Sequence, residues 1–337
     1  MVEQADVVAE IGLLIYPDCQ LSAVYGLTDL FRIASQWAPQ QTVHPRMIRV
    51  SHWQIAEDDV VCTWDSHPGR PNRLGYVLAP PSIIMPAQMQ PMPVAARWMA
   101  NKHKEGATIG SICAGAFVLA ETGLIDGRRA TTHWAFSHEL AKRYPKIDLA
   151  AEQMVIDDGD IMTAGGILAW TDLGLTLVEK LMGVGTMLAT ARFLLVDPPR
   201  RDQDIYKAFV PKFDHGDTAI LGVQHHIHAQ AAEAHDIPEL ADRAGLADRT
   251  FLRRFVKATG LRPTEYLQQV RVMKARDALE TTSLSVEQIS WDVGYSDVTA
   301  FRRVFQRIAG LTPTQYRQRF GPRADESLVK PKTKNSD

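Results

Sequence analysis

One short stretch of sequence occurs twice in the last third of the chain, and this repeat constrains the fold more than any other feature. Gly245 opens the first copy, GLADRTFLRRFVKATGLRPTEYL, and Gly294 opens the second, GYSDVTAFRRVFQRIAGLTPTQYR. These glycines lie 49 residues apart (294 − 245), and the later Gly260 and Gly310 lie 50 apart (310 − 260). Turn glycines that recur at one spacing predict a single supersecondary unit built twice.

The second copy carries the local signals of two helices joined by a tight turn. Ser285 followed by Gln288 has the spacing of a capping box, which starts a helix. Gly294 fits the turn, where a positive φ makes a side chain costly. Ser296 and Asp297 are suited to cap the next helix. The apolar side chains of that helix recur at i, i+3, i+4 and i+7 as a buried stripe: Phe301, Val304, Phe305 and Ile308.

The second helix of each copy is expected to carry a basic outward face. In the second copy the outward residues are Thr299, Arg302, Arg303 and Arg307. In the first copy they are Arg249, Thr250, Arg253, Arg254 and Lys257, and the inner stripe is Leu252, Phe255, Val256 and Thr259. Guanidinium forks suit phosphates and guanine edges, and threonine suits phosphates and thymine methyl groups. The pattern therefore predicts two helix-turn-helix motifs that present recognition helices to a nucleic acid.

The segment between the two copies sets the distance between these helices. Residues 263–282 are predicted to form one helix with Tyr266, Val270 and Met273 facing inward. At about 1.5 Å per residue this helix is roughly 30 Å long, which is close to the ~34 Å of one turn of B-DNA. We therefore expect the two recognition helices to enter successive major grooves on one face of a duplex.

Residues 217–320 resemble the DNA-binding domain of the AraC/XylS family, including its paired G-L-x-P-x-x-Y segments at 260–266 and 310–316. The resemblance implies a transcriptional regulator that binds duplex DNA sequence-specifically. One departure is Ala247, where the family usually has a capping serine, and Asp248 is expected to take over the cap. The alternative is a helical bundle with a merely solvated basic face, but such a face would mix acids with bases.

Composition and charge place the chain among ordinary globular proteins of two domains. The sequence has 337 residues, of which 45% are hydrophobic and 23% are charged, with a net charge of −2. Local clustering of basic residues, rather than net charge, determines the attraction for phosphates. The start of the chain lacks a basic, apolar leader, and we find no membrane-spanning run. Cys19, Cys62 and Cys113 form no disulfide framework, so we expect a cytoplasmic protein without a membrane partner.

The first half of the sequence alternates short apolar runs with helical patterns, which predicts a doubly wound α/β sheet. The predicted strands are 7–16, 47–53, 76–79 and 108–112, followed by a hairpin of 153–156 and 161–163. The predicted helices are 21–34, 94–104, 169–182 and 186–196.

A charged, proline-bearing break after this half, from Asp197 to Asp202, marks the domain boundary. The predicted organisation is a first domain at 1–196, a linker at 197–216, an all-α tandem helix-turn-helix domain at 217–322 and a disordered tail at 323–337. His225, His226 and His228 are interpreted as surface histidines of a helix, and we expect neither a metal nor a cofactor.

Cys113 raises the question of chemistry in the first half. Residues 109–116 predict a strand that runs into Cys113 and then a helix at 117–122, which is the order of a nucleophile elbow. A helix N-terminus is expected to lower the pKa of such a thiol, and His133 is its candidate neighbour. The matching pieces are 111–117, 127–134, and 163–166 followed by Asp172. They resemble the DJ-1/PfpI family, specifically the glutamine-amidotransferase-like, flavodoxin-like domain that is fused to AraC-type helices in many bacterial regulators.

Three departures from the catalytic members of that family argue against a working enzyme. Ala23 stands where hydrolases and hydratases place a carboxylate, and Ala114 stands where others use His or Thr. Pro80 and Pro81 stand where many members have Gly-Gly, and proline offers no N–H to an oxyanion hole. We therefore expect a vestigial elbow cysteine in a non-catalytic pocket for a small effector, and the resemblance implies that this effector is a nitrogenous compound. The predicted pocket residues are Ala23, Pro81, Cys113, Ala114, His133 and Gly165.

Two alternative functions stay open from the sequence. One is a bifunctional protein whose first domain is a Cys113-dependent hydrolase or hydratase. The other is a redox switch that responds to oxidation of Cys113. The resemblance further implies a homodimer, because DJ-1-like domains commonly pair.

Overall fold

The computed structural model describes residues 6–37, 46–199, 202–203 and 205–322. These residues form two compact units, the first of which ends at Gln203. The predicted tail, 323–337, lies outside the described residues, as do residues 200, 201 and 204 of the predicted linker. The exact domain limits stay predictions.

The first unit is built on a mixed sheet of seven strands. Its strands, with a small separate pair β6 and β7, are β1 (Asp6–Ile15), β2 (Arg46–Ala56), β3 (Asp59–Asp65), β4 (Leu74–Ala79), β5 (Thr108–Ile112), β6 (Arg129–Ala130), β7 (Asp148–Leu149), β8 (Val155–Asp157) and β9 (Ile161–Ala164). The order is β3-β2-β1-β4-β5-β9-β8, and only the two edge strands are antiparallel. Counted along the chain, the parallel strands follow the order 2-1-3-4-5 of flavodoxin-like sheets, so the predicted fold class is confirmed.

Helices cover the sheet and bury its apolar runs. They are α1 (Leu21–Trp37), α2 (Pro93–Lys104), α3 (Gly115–Ala120), α4 (Ser137–Arg143), α5 (Trp170–Met182) and α6 (Val184–Leu194). Strand β3 was not predicted, because it is an edge strand in which Val60 is the one buried residue and no apolar face alternates. Helix α3 also begins two residues earlier than predicted, at Gly115.

The described residues of the second unit, 205–322, form seven helices around two separate apolar cores. They are α7 (Thr218–Ala229), α8 (Ile237–Arg243), α9 (Asp248–Thr259), α10 (Pro263–Thr281), α11 (Val286–Asp292), α12 (Val298–Ala309) and α13 (Pro313–Phe320). The first core contains Phe251, Phe255 and Tyr266, and the second contains Phe301 and Phe305. Because α10 contributes residues to both cores, it joins the two helix-turn-helix motifs as the sequence predicts.

The apolar stripe predicted for α12 is confirmed, but the stripe predicted for α9 is right only at Phe255 and the half-buried Thr259 and wrong at Leu252 and Val256. Leu252 and Val256 are 36% and 41% exposed, whereas Phe251 and Phe255 are fully buried. Phe251 and Phe301 lie 50 residues apart (301 − 251), although the turn glycines lie 49 apart. The turn after Gly294 is one residue longer than the turn after Gly245, so an alignment on the glycines shifts the helix faces by one position.

The helix starts follow from local hydrogen bonds. The Ser285 hydroxyl accepts from the Gln288 N–H at 3.0 Å, and the Asp297 carboxylate accepts from the Thr299 N–H at 2.8 Å. Helix α9 has Ala247 at the equivalent N-cap without a side-chain hydrogen bond. The expectation that Asp248 replaces this cap is wrong, because Asp248 is already the first helical residue.

Candidate DNA-binding surface and effector site

Helices α9 and α12 place related but different side chains on their outer faces. At the structural spacing of 50 residues, Arg253 corresponds to Arg303, and Lys257 corresponds to Arg307; all four are exposed. Arg249 and Thr299, also exposed, form a third pair. At a further outward position Leu252 corresponds to Arg302, so α9 offers an apolar contact where α12 offers a guanidinium.

Some of the predicted contact residues already have partners within the second unit. Arg254 makes two hydrogen bonds to the Asp217 carboxylate, at 2.9 and 2.7 Å, and occupies the position of the half-buried Val304. The hydrogen bond from Arg254 lowers the pKa of Asp217. Thr250 is half-buried. These two residues therefore lie at the side of α9 rather than at the centre of its outer face.

On α12, Arg302 donates to Glu287 at 2.7 Å, and Arg307 donates to the Gln268 side chain at 2.6 Å. Among the described residues, neither Arg253 nor Arg303 makes an ion pair or a side-chain hydrogen bond. These two equivalent arginines are therefore available as donors on this surface.

Close packing at Gly294 fixes the turn of the second motif. Its φ is +92°, and an added Cβ would lie 2.3 Å from the carbonyl oxygen of Ala232. Arg271 on α10 donates to the carbonyl oxygens of Ala231, at 2.7 Å, and Glu233, at 2.8 Å. The loop between α7 and α8 is thus held between α10 and the second turn.

In the first unit, Cys113 has the backbone of a nucleophile elbow. Its φ is +54°, its N–H donates to the Ala164 carbonyl at 2.7 Å, and its own carbonyl accepts from the Thr132 hydroxyl at 2.8 Å. A Cβ at Gly115 would lie 2.5 Å from the carbonyl oxygens of Ala79 and Pro80, so only glycine fits there.

The thiol environment is nevertheless the opposite of the expected one. Cys113 is 1% exposed, and burial raises its pKa to about 12. The prediction of a lowered thiol pKa is therefore wrong. The physical reason is that desolvation of the thiolate outweighs the N-terminus of the short helix α3.

The loop that follows β4 is closed onto the segment after β1. The Tyr16 hydroxyl donates to the Pro80 carbonyl at 2.5 Å, and the Gln20 N–H donates to the Pro81 carbonyl at 2.7 Å. Ala23, in α1, and Ala114, between β5 and α3, are both fully buried. Ala23 thus offers only a methyl group, and Pro80 and Pro81 offer ring nitrogens without an N–H to donate.

The remaining predicted pocket residues, His133 and Gly165, lie beside the side chain of Gln203. The Gln203 amide nitrogen donates to the carbonyls of Thr132 and Gln153, both at 2.9 Å, and to the Thr131 hydroxyl at 3.2 Å. Its amide oxygen accepts from the Trp134 N–H at 3.1 Å.

Gln203 is 2% exposed, and a Cβ at Gly165 would lie 1.8 Å from its amide nitrogen. Thr132 therefore connects Gln203 to the elbow, because its carbonyl accepts from the Gln203 amide and its hydroxyl donates to the Cys113 carbonyl. Sequence reasoning missed Gln203, because nothing in the charged linker distinguishes it.

His133 is half-buried, and burial lowers its pKa. Its Nδ1 accepts from the Ala135 N–H at 3.1 Å, and its ring packs against those of Trp134 and Phe136. These contacts give His133 a packing role at the start of the segment that leads to α4.

With this geometry established, comparison with known proteins identifies both units. A model of the helix-turn-helix domain matches residues 240–319, and a model of the DJ-1/PfpI family matches residues 83–180. The chain carries an AraC-type helix-turn-helix domain and a DJ-1/PfpI domain, the combination of a DNA-binding transcriptional regulator. The regulator is 27% identical to the HTH-type transcriptional regulator ArgR of Pseudomonas aeruginosa over 337 residues, which cover 95% of this chain and 97% of ArgR.

Two further relatives cover less of the regulator. The HTH-type transcriptional regulator CdhR of Pseudomonas aeruginosa is 29% identical over 226 residues, covering 67% of each chain. Isonitrile hydratase of Pseudomonas putida is 44% identical over 78 residues, covering 23% of this chain and 33% of that enzyme. Within the described part of the regulator, no helix combines the length and apolar character needed to cross a membrane.

A cleft of about 680 Å³ opens on the first unit beside α2, α3 and α4. Its lining includes Phe117, Glu121, Arg143 and Tyr144, but none of the predicted pocket residues. Glu121 accepts from the Met92 N–H at 2.7 Å, and burial raises the pKa of this carboxyl. Among the described residues, this cleft is separate from the groove beside Gly165 that the Gln203 side chain fills.

Proposed function

We propose that the regulator recognises duplex DNA through α9 and α12 and responds to a small nitrogenous effector held without catalysis in its DJ-1/PfpI unit. The observation that carries the DNA-binding geometry is the equivalence of Arg253 and Arg303. Both are exposed, both lie at the same point of a recognition helix, and 50 residues separate them (303 − 253). A solvated surface has no reason to repeat an unpaired arginine at the repeat spacing.

The length of α10 supports binding to successive grooves. Its 19 residues give a helix of about 28 Å at the usual rise, somewhat below the ~34 Å of one turn of B-DNA. In this arrangement Arg253 and Arg303 face base edges. Arg249, Lys257, Thr299 and Arg307, which flank them, supply phosphate contacts that set register and orientation.

The DNA-binding proposal is tested by selecting duplexes from a random library with the full-length protein. Arg253→Ala and Arg303→Ala should each weaken binding to the selected site by about 1–3 kcal/mol and relax base preference at one position. Lys142→Ala, which removes one exposed positive charge from the first unit, is the matched control. An equal loss on all sequences would assign the arginine to phosphate alone.

A non-catalytic first unit is supported by three features of the elbow region. The Cys113 thiol is buried with a raised pKa. Pro80 and Pro81 have no N–H to donate, and Ala23 provides no acid or base. A thiol that stays protonated is a poor nucleophile.

The second candidate function is hydration or hydrolysis through Cys113, and the similarity to isonitrile hydratase favours it. We would measure turnover of isocyanides, amides and glyoxals by the purified regulator and by Cys113→Ser. This comparison separates a catalytic first unit from a non-catalytic one. Cys113-dependent turnover at more than a trace level would replace the non-catalytic proposal.

For the effector, we propose that an amide-like N–H group takes the place of the Gln203 carboxamide. The groove offers three acceptors, Thr131 Oγ1 and the carbonyls of Thr132 and Gln153, and one donor, the Trp134 N–H. This arrangement complements a primary carboxamide or a similar nitrogenous group. Since Gln203 ends the first unit in the chain, its replacement changes how the linker is anchored and gives a route from effector to DNA-binding unit.

A thermal-shift screen of amides, amino acids and related nitrogen compounds on the full-length protein tests this proposal. Gln203→Ala removes the internal competitor, so it should bind the same compound more tightly than the parent protein does. Compounds that bind both proteins equally would place the effector elsewhere, with the cleft beside α2–α4 as the next site to test. DNA selection with the same variants shows whether DNA binding persists when effector binding is lost, so that the two proposals can fail separately.

We further propose that the regulator acts as a homodimer on paired sites. Light scattering of the protein alone and with the selected duplex checks this, and a monomer in both samples would contradict it.

A further inference from the structure

Three potential metal ligands meet at the start of the DNA-binding unit. His226 lies on α7, His235 lies in the loop that follows, and Glu239 lies on α8. One ligand atom from each lies within 4.8 Å of the others. The His226 Nε2 and a Glu239 carboxylate oxygen are 4.0 Å apart, and the two imidazole rings are 5.2 Å apart, edge to face.

Two of these atoms are buried without a hydrogen-bond partner in the part of the chain that the structure describes: His226 Nε2 and His235 Nδ1. The His226 side chain is only 9% exposed. Buried polar atoms without partners are uncommon, because each loses its hydration without a replacement hydrogen bond. Two such nitrogens beside a carboxylate form a donor set that suits a cation.

The tautomer of His235 fits this interpretation. The second ring nitrogen of His235, Nε2, lies 2.8 Å from the carbonyl oxygen of Gln230. A carbonyl only accepts, so Nε2 carries the proton and donates, and Nδ1 keeps its lone pair. Metal-bound histidines are commonly oriented in this way, with the other ring nitrogen donating to a backbone carbonyl.

We propose that His226, His235 and Glu239 bind a divalent transition-metal ion of the zinc type. Two imidazoles and one carboxylate are borderline ligands that suit zinc, whereas calcium and magnesium favour oxygen ligands throughout. Zinc bonds of about 2.0–2.1 Å place tetrahedral ligands roughly 3.3 Å apart. The half-exposed Glu239 closes the present gap by a side-chain rotation, and a water molecule completes the coordination.

The position of this site gives the metal a structural effect. It joins α7 to α8, the first helix of the first helix-turn-helix motif. It also fixes the loop whose Ala231 and Glu233 carbonyls accept from Arg271 and whose Ala232 carbonyl packs against Gly294. Because this one loop contacts both motifs, the bound metal stabilises their relative placement within the second unit.

The test is a cobalt(II) titration of full-length, tag-free protein that has been treated with a chelator. Tetrahedral cobalt gives intense visible absorption, and zinc should displace it at one equivalent per chain. His235→Ala should weaken binding by at least about 100-fold, since even the loss of an outer-shell partner costs about 10–100-fold. His225→Ala, which removes the exposed neighbouring histidine on α7, should bind cobalt like the parent protein.

Glu239→Gln provides a second variant that preserves side-chain shape, and it should bind more weakly while circular dichroism stays unchanged. Zinc should raise the unfolding temperature of the parent protein and of His225→Ala, but not that of His235→Ala. Cobalt binding that is unchanged in His235→Ala and Glu239→Gln, or the absence of stoichiometric binding to the parent protein, would overturn the proposal.

Discussion

Arg302 on α12 donates from its Nη2 to the Oε1 of Glu287 on α11, at a distance of 2.7 Å. Both side chains are about half exposed, so the pair contributes little to stability. In the proposed mode of DNA binding its effect on recognition is larger, because DNA would compete with Glu287 for this guanidinium. The equivalent position on α9 is Leu252, so the competition exists in only one of the two motifs.

Replacing Glu287 with glutamine should therefore strengthen binding to the selected duplex by about two- to fivefold, corresponding to less than 1 kcal/mol. Arg302→Ala should weaken it by about 1–3 kcal/mol and relax preference at one base position. Fluorescence anisotropy at two salt concentrations measures both effects. Glu233→Gln removes the same charge from an exposed site in the second unit, and an equal gain in that control would point to net charge alone.

Gly294→Ala should destabilise the second unit more than Gly245→Ala does. Both glycines have positive φ, a conformation that costs an L-residue about 1–2 kcal/mol. Only at Gly294 does an added Cβ also meet a backbone atom, the Ala232 oxygen at 2.3 Å, whereas nothing lies within 4 Å at Gly245. Overpacking adds about 1–3 kcal/mol. Urea unfolding of both variants measures the difference. Equal losses in the free energy of unfolding would show that the loop around Ala232 moves to accommodate the added methyl group without destabilising the unit.

Cys113 should resist alkylation at pH 8 while Cys62 reacts readily. Cys62 is exposed, whereas Cys113 is buried with a pKa raised to about 12. Since the unfolded chain loses this proton near pH 9 and the folded chain keeps it, the associated stability is complete below pH 9 and declines as the pH rises towards 12. Peptide mapping after iodoacetamide treatment checks the reactivity.

Rapid Cys113 labelling in the native protein would revive the redox-switch alternative. A reporter under peroxide then decides, because an unchanged response in Cys113→Ser excludes a role for oxidation of this thiol.

The Asp217 carboxylate both caps α7 and forms an ion pair with Arg254. Two substitutions separate the contributions of these two interactions to stability. Its carboxylate accepts from the Ile220 N–H at 3.2 Å and from Arg254. Asp217→Ala should cost about 1 kcal/mol or more, and Asp217→Ser should recover most of the cap contribution. Because the pKa of Asp217 is lowered by Arg254, the ion-pair contribution is present above the ordinary carboxyl pKa and is lost as the pH falls through the folded value.

Thermal unfolding from pH 7 to pH 3 measures this contribution. If the difference in unfolding temperature between the parent protein and Asp217→Ser does not change with pH, the ion pair adds nothing to stability. Arg254→Ala should leave base preference unchanged if the residue only positions α9, whereas a relaxed preference would restore it to the DNA-contact set.

Much of the fold was predictable because its signals are local. Ser285 caps α11, Gly294 adopts a positive φ in the turn, and Phe301 and Phe305 pack inward from α12. Each of these features depends on only a few neighbouring residues in the sequence. The register of α9 was not predictable in this way. Leu252 and Val256 satisfy a helical period as well as Phe251 does, and only packing against the core of α7, α8 and α10 selects the larger aromatic side chain.

The sequence by itself determined the two architectures, the repeated helix-turn-helix motifs and the strand-to-helix turn at Cys113. All of these depend on residue type, short spacing and backbone preference. Only the tertiary structure decided which groups meet across long separations, such as Gln203 beside Gly165 and Asp217 against Arg254. It also decided the shorter-range cluster around His235. Burial of the Cys113 thiol likewise depends on the surrounding fold, because the desolvation that raises its pKa comes from atoms distant in the chain.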